Sequence, residues 1–371
     1  MISAVRVKKY IRIGFNRITQ DLATRFFLLS GIKMPNPKRA YYFMTSKCNF
    51  QCGMCPQWKI GLEEKAEEYI SESRMLELMD EMAGAGIKEI GFSGGEPLIY
   101  SDKLLRLLAH ASRKGMYTHV ATNGSLITRE FLGEYDKIGG GHISLSIDAL
   151  GERHNELRGF GGAFSGTENV LKLFETNNYR NILLKINLTL TGENLGEAPA
   201  VVKMAATKNA VVFIQPYDPY DYAHSNDAAY LESHYPLWVK KKNYGELEKS
   251  LDEIMEIKRD SPEIILNSEE HLADIKQYFQ GRRNIKKICF SGLDQISIFP
   301  RGEIMFCKYG VIGDLKNASL KEFLASDKRK EAVISSLSCP ENCLLGCMYR
   351  PRLGDMLKSG LKQLYKLSKV N

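Results

Sequence analysis

The chain has 371 residues, of which 44% are hydrophobic and 26% are charged, a composition typical of a folded globular protein. It contains no run of about 18 uninterrupted apolar residues and no apolar segment with a cleavage site near its start, so we expect neither a membrane-spanning helix nor a secretion signal. The net charge of +7 comes from the two ends of the chain, which argues against a nucleic-acid-binding body. We therefore expect a cytoplasmic protein that binds no nucleic acid and whose eight cysteines bind metal rather than form disulfides.

Residues 1–39 form a basic N-terminal extension with nine Lys and Arg against one acid, and residues 348–371 form a similar tail with six against one. The residues between them hold 36 bases and 42 acids. Both ends place apolar side chains three or four residues apart among basic ones, as amphipathic helices do. Two interpretations stay open: helices that pack on the body with a solvated basic face, or peripheral contact with the anionic inner face of a membrane.

Residues 40–216 alternate short apolar runs with amphipathic helical stretches, such as Ser73–Gly84 and Asp102–Lys114. Strands separated by helices predict right-handed crossovers and a parallel sheet. Six such units predict an α/β fold, a partial (β/α)6 TIM-like barrel with its ligand site at the carboxyl ends of the strands. The predicted strands are Ala40–Thr45, Ile87–Phe92, Tyr117–Ala121, His142–Ile147, Leu183–Leu190 and Val211–Gln215.

Cys48, Cys52 and Cys55 follow the first predicted strand with the spacing Cys-x3-Cys-x2-Cys. Three thiolates on one tight loop can hold three irons of a [4Fe–4S] cluster and leave the fourth iron open to a small chelating molecule. The alternative is a zinc site, but zinc sites usually combine Cys-x2-Cys pairs with another Cys or His nearby. No such residue lies within about thirty positions here.

These cysteines and the segments that follow the next strands resemble the radical S-adenosylmethionine (radical SAM) family. Residues 91–97 read GFSGGEP, residues 121–124 read ATNG, and residues 146–159 contain Ser-Ile-Asp followed by His and Arg-Gly. The resemblance covers residues 40–216 and implies a three-cysteine [4Fe–4S] cluster that chelates SAM. The residues that it implies as cofactor contacts are Ser93, Gly94, Gly95, Glu96, Asn123, Ser146 and Arg158, with Asn187 and Gln215 as weaker candidates for the sugar and adenine.

Within this set, Glu96 is expected to accept hydrogen bonds from the methionyl amine of SAM, beside two glycines that let the backbone approach a ligand closely. Ser146 and Arg158 are expected near the ribose and the carboxylate. The implied chemistry is transfer of one electron from the cluster to the sulfonium, which gives methionine and a 5′-deoxyadenosyl radical. That radical would abstract hydrogen from a substrate, and a flavodoxin or ferredoxin would supply the electron.

Residues 217–285 break the strand–helix alternation and predict a connecting segment, a loop followed by helices. Tyr217, Asp218 and His224 follow the sixth strand, where the mouth of the barrel is expected. They are therefore candidates for substrate contact, although a surface loop would carry the same residue types.

Residues 286–347 contain the other five cysteines, beginning with Cys289-x12-Gly302-x4-Cys307 around two strand-like runs. Residues 300–302, Pro-Arg-Gly, predict a hairpin turn between those runs. The layout resembles the SPASM and twitch domains, small C-terminal modules that carry auxiliary iron–sulfur clusters. The remaining candidate ligands are Cys339, Cys343 and Cys347.

A full SPASM domain has seven cysteines, so five imply one auxiliary [4Fe–4S] cluster in the shortened twitch style. Two of its ligands would come from Cys339, Cys343 and Cys347, and we favour the last two because Pro340 suggests a turn beside the first. Four thiolates would also satisfy tetrahedral zinc, so zinc stays an alternative at this second site.

The substrate class is open among small molecules, carbohydrates, lipid-linked compounds and peptides. Peptide-modifying relatives often begin with a winged-helix domain of about eighty residues, whereas only 39 residues precede the first strand here. We therefore favour a small-molecule, carbohydrate or lipid-linked substrate, with a peptide or protein as the alternative. A non-catalytic iron–sulfur or zinc scaffold is a third possibility, and binding of SAM would distinguish it because a scaffold should bind none.

Overall fold

The computed structural model of the chain describes residues 18–32, 34–220, 224, 227–281, 289–307, 310–340 and 343–344. The predictions for residues 1–17, for the tail 348–371 and for Cys347 lie outside the described residues. The first described element is helix α1, residues 18–30. In the described part, no helix is both long and apolar enough to cross a membrane.

Strands alternate with helices up to residue 216, and each predicted strand of this region is confirmed to within two residues at its ends. The strands are β1 (Arg39–Phe43), β2 (Glu89–Ser93), β3 (Tyr117–Thr122), β4 (Gly141–Ser146), β5 (Leu183–Leu190) and β6 (Val211–Pro216). The helices are α2 (Gln57–Glu63), α3 (Glu72–Gly84), α4 (Ser101–Arg113), α5 (Arg129–Lys137), α6 (Gly151–Arg158), α7 (Ala163–Thr176) and α8 (Ala198–Thr207). Side-chain caps start several of them; for example, Ser71 accepts a hydrogen bond from Arg74 N at the start of α3.

The six strands pair in parallel in the order β6-β5-β4-β3-β2-β1. Sequential strands are neighbours because each helix returns the chain to the same end of the sheet. The sheet is not closed by a pairing of β6 with β1, so the fold is the predicted partial barrel. All six carboxyl ends therefore meet at one edge, where the ligand site of such a fold lies.

One face of the sheet is covered by helices and the other lines the barrel. On β5 and β6 fully buried residues alternate with half-buried ones, as the two-residue period of a strand requires. The fully buried residues of these strands are apolar and include Ile186, Leu188, Val212 and Ile214. The half-buried residues on the barrel side are more polar and include Lys185, Asn187, Thr189 and Gln215.

The predicted connecting segment consists, after its loop, of α9 (Ala228–His234), α10 (Tyr244–Asp260) and α11 (Glu269–Phe279). It also closes the outer edge of β6, because Val212 N donates to Ile264 O at 2.7 Å and Leu266 N donates to Val212 O at 2.8 Å. Asn267 bonds both the N–H and the carbonyl of Ile214. These bonds satisfy backbone groups that an open strand would leave unpaired.

The C-terminal region adds three more strands to the same sheet: β7 (Gln295–Ile298), β8 (Glu303–Met305) and β9 (Val311–Asp314). Strand β7 pairs in parallel with β1, and β8 and β9 continue antiparallel. The predicted hairpin turn at residues 300–302 is confirmed, since Gly302 N donates to Phe299 O. Two helices follow, α12 (Leu320–Ala325) and α13 (Asp327–Leu337).

The region expected to be a small cysteine-rich domain after the barrel pairs with the barrel sheet. An open barrel leaves one edge of β1 unpaired, and the C-terminal hairpin occupies that edge. The contact is reinforced by Asp294, whose carbonyl accepts from Arg39 N at 3.1 Å and whose carboxylate pairs with the Arg39 guanidinium. The barrel and the cysteine-rich region therefore share one nine-stranded sheet.

Candidate active site

The cysteine loop, residues 44–56, begins at the carboxyl end of β1. Met44 N donates to Ser93 O at 2.9 Å, so the pairing with β2 continues into the first residue of the loop. Ser93, one of the predicted cofactor residues, is the half-buried last residue of β2. The loop then contacts the segments that follow β2, β3 and β4, which places the three cysteines at the edge that the strand pattern indicated.

The segment after β2 supports the cysteine loop from one side. Gly95 N donates to Thr45 O at 2.6 Å, and Glu96 N donates to Lys47 O at 2.9 Å. The approach is so close that a Cβ on Gly95 would lie 2.0 Å from Lys47 O, and one on Gly94 would lie 2.2 Å from Thr45 O. The two glycines are therefore required for contact with the cysteine loop itself.

The end of α6 supports the loop from another side. Gly53 N donates to Leu157 O at 3.2 Å, and the rings of Phe50 and Phe160 stack with centroids 4.5 Å apart. Gly159 ends the helix with a φ of +58°, a left-handed conformation that favours glycine. The Arg-Gly pair of the sequence thus turns the chain back along the cysteine loop.

Donor groups lie near each cysteine sulfur of the loop. Phe50 N donates to Cys48 Sγ at 3.4 Å, and Arg158 Nη1 lies 4.0 Å from Cys52 Sγ. The backbone N–H groups of Gln57 and Trp58, the first two residues of α2, lie near Cys55 and act to lower its pKa. Donors of this kind stabilise a thiolate, the form in which cysteine binds iron.

Burial raises the pKa of Cys48 to about 11 and raises the pKa values of Cys52 and Cys55 as well. The pKa of Cys48 is raised further by the nearby Cys52 and Cys55, so the three sulfurs occupy one small region. In the described ranges, no three His, Cys, Asp or Glu side chains converge on a point suited to one metal ion. A [4Fe–4S] cluster instead takes each thiolate on a separate iron, and the three sulfurs with their donors fit that group.

Glu96 is fully buried and uses its carboxylate within the protein. Oε1 accepts hydrogen bonds from Leu98 N at 3.0 Å and Thr122 Oγ1 at 2.9 Å, and Oε2 accepts one from Asn123 N at 2.8 Å. Burial raises its pKa to about 7, and the three donors oppose that rise. The carboxylate thus joins the segments after β2 and β3, while its expected grip on the methionyl amine stays a prediction.

Glu96→Gln is expected to lower the free energy of unfolding by about 2 kcal/mol. The amide nitrogen would bring a donor against the backbone N–H of Leu98 or of Asn123, whichever way the amide is turned. Urea denaturation of the reconstituted protein measures the change. Glu256→Gln, on the exposed side of α10, is the matched control, and equal midpoints for both variants would contradict the structural role.

Asn123, another predicted cofactor residue, connects the segment after β3 to the cysteine loop. Its Nδ2 donates to Asn49 Oδ1 at 2.9 Å, and Asn49 Nδ2 donates to Ser125 Oγ at 2.8 Å. Ser125 N and Oγ in turn donate to Asn123 Oδ1. This side chain therefore fixes the residue that follows Cys48, whether or not it also contacts a cofactor.

Arg158 lies between the cysteine loop and Asp148. Its Nη2 is 2.7 Å from Asp148 Oδ2, and that carboxylate also accepts Thr189 N at 2.8 Å. His154 Nδ1 accepts a hydrogen bond from Asp148 N at 3.2 Å. Asp148 and His154 belong to the segment that carries the resemblance, but the sequence assigned them no role; an acid ten residues before Arg158 was the available signal.

The remaining predicted contacts lie on the barrel side of β4 to β6. Ser146 and Asn187 are register partners, and Asn187 Oδ1 is buried without a hydrogen-bond partner in the part that the structure describes. Gln215 is half-buried on β6. Lys185, which the sequence did not single out, lies on the same side, and its Nζ is 5.9 Å from the centre of the Phe213 ring.

Comparison with known proteins bears directly on this site. The sequence model of the Radical SAM superfamily matches residues 42–205, which contain the cysteine loop, the glycine segment and Arg158. The chain belongs to the radical SAM superfamily. An iron–sulfur cluster-binding SPASM domain model matches residues 289–348. The cofactors of this chain are therefore [4Fe–4S] clusters and SAM. The two matched regions, residues 42–205 and 289–348, are those of a radical SAM enzyme with a SPASM domain.

Two known proteins are similar in sequence to this radical SAM protein. Fe-coproporphyrin III synthase of Methanosarcina barkeri is 32% identical over 189 residues, which are 51% of this chain and 45% of that protein. PqqA peptide cyclase of Granulibacter bethesdensis is 27% identical over 296 residues, 76% of this chain and 71% of that protein. The match therefore spans less than half of the synthase.

Solved structures share the fold of this radical SAM protein. Native anSMEcpe with bound AdoMet has a TM-score of 0.60 and 18% identity, covering 80% of this chain and 83% of that one. Streptococcus suis SuiB bound to S-adenosylmethionine has a TM-score of 0.60 and 15% identity, covering 84% of this chain and 71% of that one.

Two of the substrate-contact candidates of this radical SAM protein lie beside one buried tyrosine. Tyr278 Oη donates to Tyr217 O at 3.3 Å, and Asp218 is close enough to help raise the Tyr278 pKa, which burial already raises strongly. Burial also raises the Asp218 pKa to about 6, while a hydrogen bond from Tyr220 N opposes that rise. Their contact with a substrate stays a prediction.

The third candidate, His224, packs in a different arrangement. Its ring stacks on Tyr230 with centroids 3.7 Å apart, and Tyr230 stacks on His234 at 3.8 Å. These rings belong to α9 and the loop before it, so His224 is placed by aromatic stacking rather than by the residues around Tyr278.

Four of the five predicted auxiliary ligands of this radical SAM protein are described. Cys307 has a φ of +40°, and Gly310 N donates a hydrogen bond to Cys307 O. Cys339 N donates to Ser336 O at the end of α13. Cys343 is near enough to Tyr278 of α11 to contribute to its raised pKa, which burial raises most. Cys289, near the start of the cysteine-rich region, is half-buried. Which four cysteines bind the auxiliary cluster stays a prediction.

Proposed function

We propose that Cys48, Cys52 and Cys55 hold a cluster that starts radical chemistry on a substrate. Bound together, a [4Fe–4S] cluster and SAM supply one-electron cleavage of the sulfonium, giving methionine and a 5′-deoxyadenosyl radical that abstracts hydrogen from the substrate. The observation that carries the proposal is the cysteine loop itself, in which donor groups lie near each of the three sulfurs. A flavodoxin or ferredoxin is the proposed source of the electron.

The chain's own residues would hold the cluster and orient SAM beside it. Arg158 Nε and Asn187 Oδ1 support this, because both are buried and lack partners in the described part of the chain, and such atoms ordinarily bind something. A carboxylate and a ribose hydroxyl are the SAM groups that suit them. The proposed SAM contacts are Ser93, Gly94, Gly95, Glu96, Asn123, Ser146, Arg158, Asn187 and Gln215.

The proposed substrate is a small molecule, a carbohydrate or a lipid-linked compound. Its support is the polar barrel side of β4 to β6, where Lys185 and Thr189 accompany a Ser144 Oγ that is buried without a partner in the described part. Hydroxyl and amide groups suit a substrate rich in oxygen, and a lysine suits one that also carries negative charge. Tyr217, Asp218 and His224 are proposed to contact it from the barrel mouth.

A peptide is the alternative substrate, favoured by one specific finding. One relative, whose match covers 76% of this chain and 71% of its own, is named PqqA peptide cyclase. The barrel side described above would then bind one side chain of an extended segment rather than a whole small molecule.

The test of the proposed function is anaerobic reconstitution with iron and sulfide, then addition of dithionite and SAM and measurement of 5′-deoxyadenosine. We expect nucleoside at the level of slow uncoupled turnover without substrate, and faster formation with the right compound. Cell extracts are divided into peptide, lipid and small-molecule fractions, and each fraction is added to the assay. The fraction that accelerates nucleoside formation distinguishes a peptide substrate from the other class. A fully loaded cluster that forms no nucleoside in any fraction would overturn the proposal.

We also propose that α1 contacts the surface of an anionic membrane. The helix is oriented unusually, since the side that packs on the body is mainly polar and the exposed side is apolar. Gln20 and Thr24 are buried, and Gln20 Nε2 donates to Leu293 O at 2.6 Å. Its exposed large apolar residues are Leu22 at 53%, Phe26 at 59%, Leu28 at 37% and Leu29 at 89%, and Ile32, two residues after the helix, is 63% exposed.

A lipid surface is the occupant that this helix favours, because the apolar side lies within a 39-residue stretch carrying nine basic residues and one acid. Apolar area combined with basic charge is the requirement for an interfacial helix. Contact there would bring a lipid-linked substrate to the barrel, whereas a protein partner needs no such excess of positive charge.

Phe26→Glu/Leu29→Glu is expected to weaken binding to phosphatidylglycerol vesicles more than tenfold, since each buried large apolar side chain contributes about 1.5–3 kcal/mol. Val311→Glu/Ile334→Glu, two exposed apolar residues elsewhere, is the matched control and should bind like the parent. Cosedimentation at low salt is the measurement. Equal binding of both double variants, or no binding of the parent, would overturn the membrane proposal.

A further inference from the structure

Arg158 is held against a cluster ligand and not only beside the expected cofactor. Its Nη1 lies 4.0 Å from Cys52 Sγ while Nη2 lies 2.7 Å from Asp148 Oδ2, and the side chain is 11% exposed. Arginine keeps its charge in such surroundings, and its planar group can serve two acceptors at fixed angles. One positive charge therefore lies beside the sulfur of the middle cysteine.

Asp148 fixes the direction of that charge. The carboxylate is fully buried, and its other oxygen accepts a hydrogen bond from Thr189 N at 2.8 Å. Its backbone carbonyl accepts from Asn194 Nδ2 at 2.7 Å, and its N–H donates to His154 Nδ1. Three elements thus determine where Asp148 lies, and a buried carboxylate placed in this way requires a cation.

The cysteine loop is fixed against the same guanidinium from the other side. Leu157, the residue before Arg158, accepts a hydrogen bond from Gly53 N, the residue after Cys52. Gly159, the residue after Arg158, is so close to the loop that a Cβ there would lie 2.4 Å from Gln51 O. The separation between guanidinium and sulfur is therefore set by backbone contacts on both sides of each residue.

We propose that the Asp148–Arg158 pair is a positioning device that raises the reduction potential of the cluster held by Cys52, independently of any contact between Arg158 and SAM. A cation or donor at a cluster sulfur stabilises the reduced, more negative state, and hydrogen bonds to sulfur are a known determinant of cluster potential. The inference rests on the proposed function only in so far as the three cysteines hold a [4Fe–4S] cluster. Arg158 Nε, which has no partner within the described residues, stays available for SAM.

The proposal is tested on the full chain without SAM, by a redox titration followed by electron paramagnetic resonance. The signal of this cluster is the one that is absent from a Cys48→Ala/Cys52→Ala/Cys55→Ala variant. Arg158→Met removes the charge and is expected to shift the midpoint potential to a more negative value. Arg158→Lys keeps the charge with one donor group and is expected to shift it less. Arg153→Met, an exposed arginine on the same helix, should leave it unchanged.

Arg158→Met leaves Asp148 buried without its cation, so Asp148→Asn/Arg158→Met is prepared as well. This double variant removes both charges and is expected to show a negative shift too, because it lacks the donor at Cys52 Sγ. The proposal would be overturned if these iron-loaded variants kept the parent's midpoint potential without SAM and bound SAM more weakly. Arg158 would then act on the cofactor alone. Selective loss of this cluster, with the auxiliary iron retained, would also overturn it, because the pair would then be needed for assembly.

Failure of the proposed function gives a different result. A parent protein that forms no 5′-deoxyadenosine still has a measurable cluster potential, so the effect of Arg158 can be read without catalysis. A parent protein that loads no iron at the three cysteines removes both proposals together.

Discussion

Replacing Cys48, Cys52 and Cys55 together with alanine is expected to reduce the iron content from about eight to about four atoms per chain and to abolish 5′-deoxyadenosine formation. The loss should be complete because each thiolate holds a different iron of one cluster, and the cysteine loop contains no other thiol that could take their place. Iron and sulfide analysis, with a nucleoside assay under dithionite and SAM, measures both quantities.

Cys289→Ala/Cys307→Ala is the complementary variant and should also lose about four irons. It should keep the SAM-dependent change in the resonance spectrum of the remaining cluster, because the three cysteines that would hold that cluster follow β1 and are unchanged. Nucleoside formation by the triple variant would show that the radical arises elsewhere. An unchanged iron content in the triple variant would mean that the loop binds no cluster.

Gly95→Ala is expected to lower SAM cleavage by at least tenfold and the free energy of unfolding by about 3 kcal/mol. The added methyl group would meet Lys47 O at 2.0 Å and Ser46 O at 2.6 Å, both backbone atoms that cannot turn aside. The cysteine loop would have to move away from the segment after β2, and the distance between sulfur ligands and the SAM contacts would change with it.

Gly133→Ala on α5 is the control, since nothing lies within 4 Å of the added methyl group. That change should raise stability slightly, because alanine favours helices over glycine by about 1 kcal/mol. Urea denaturation, iron content and nucleoside yield are compared in the same preparation. Parent-like values for Gly95→Ala would show that the two segments separate easily, and the supporting role assigned to this glycine would then be wrong.

The strands of the barrel were predictable because their pattern is local. A parallel strand that is covered by helices on one face and lines the barrel interior with the other usually appears in the sequence as a short apolar run. Each such run ended near a polar or glycine residue. Leu183–Leu190 was predicted with the ends that the structure has. The cysteine spacing and the GFSGGEP segment were equally visible, since chemistry that needs three thiolates or a close backbone approach permits few other residues.

The local use of Glu96 was not predictable in the same way. From the sequence, a carboxylate after two glycines suggested a group facing the cofactor, but the structure turns it towards Leu98, Thr122 and Asn123. Two of those three donors come from a different strand end, so the arrangement depends on which strands are neighbours. The ion pair of Asp148 with Arg158 has the same origin, because α6 must first return to the sheet.

The sequence left the orientation of α1 open for another physical reason. An apolar stripe at helical spacing normally faces the core, and the sequence does not tell which side of a terminal helix packs on the body. Here Gln20 makes hydrogen bonds to backbone carbonyls of Asn36 and Leu293, which tie the polar side down. The apolar stripe was recognised, but its exposure required the structure.

Strand β1, which precedes the cysteine loop, also joins the barrel to the C-terminal cysteine-rich region. Because β1 is flanked by β2 on one edge and by β7 on the other, neither part can be removed without leaving it half unpaired. Two regions that match separate sequence families are thus joined by backbone hydrogen bonds as well as by the chain itself. The separation between the start of the cysteine loop after β1 and Cys307 after β8 is accordingly set by strand pairing rather than by the length of a linker.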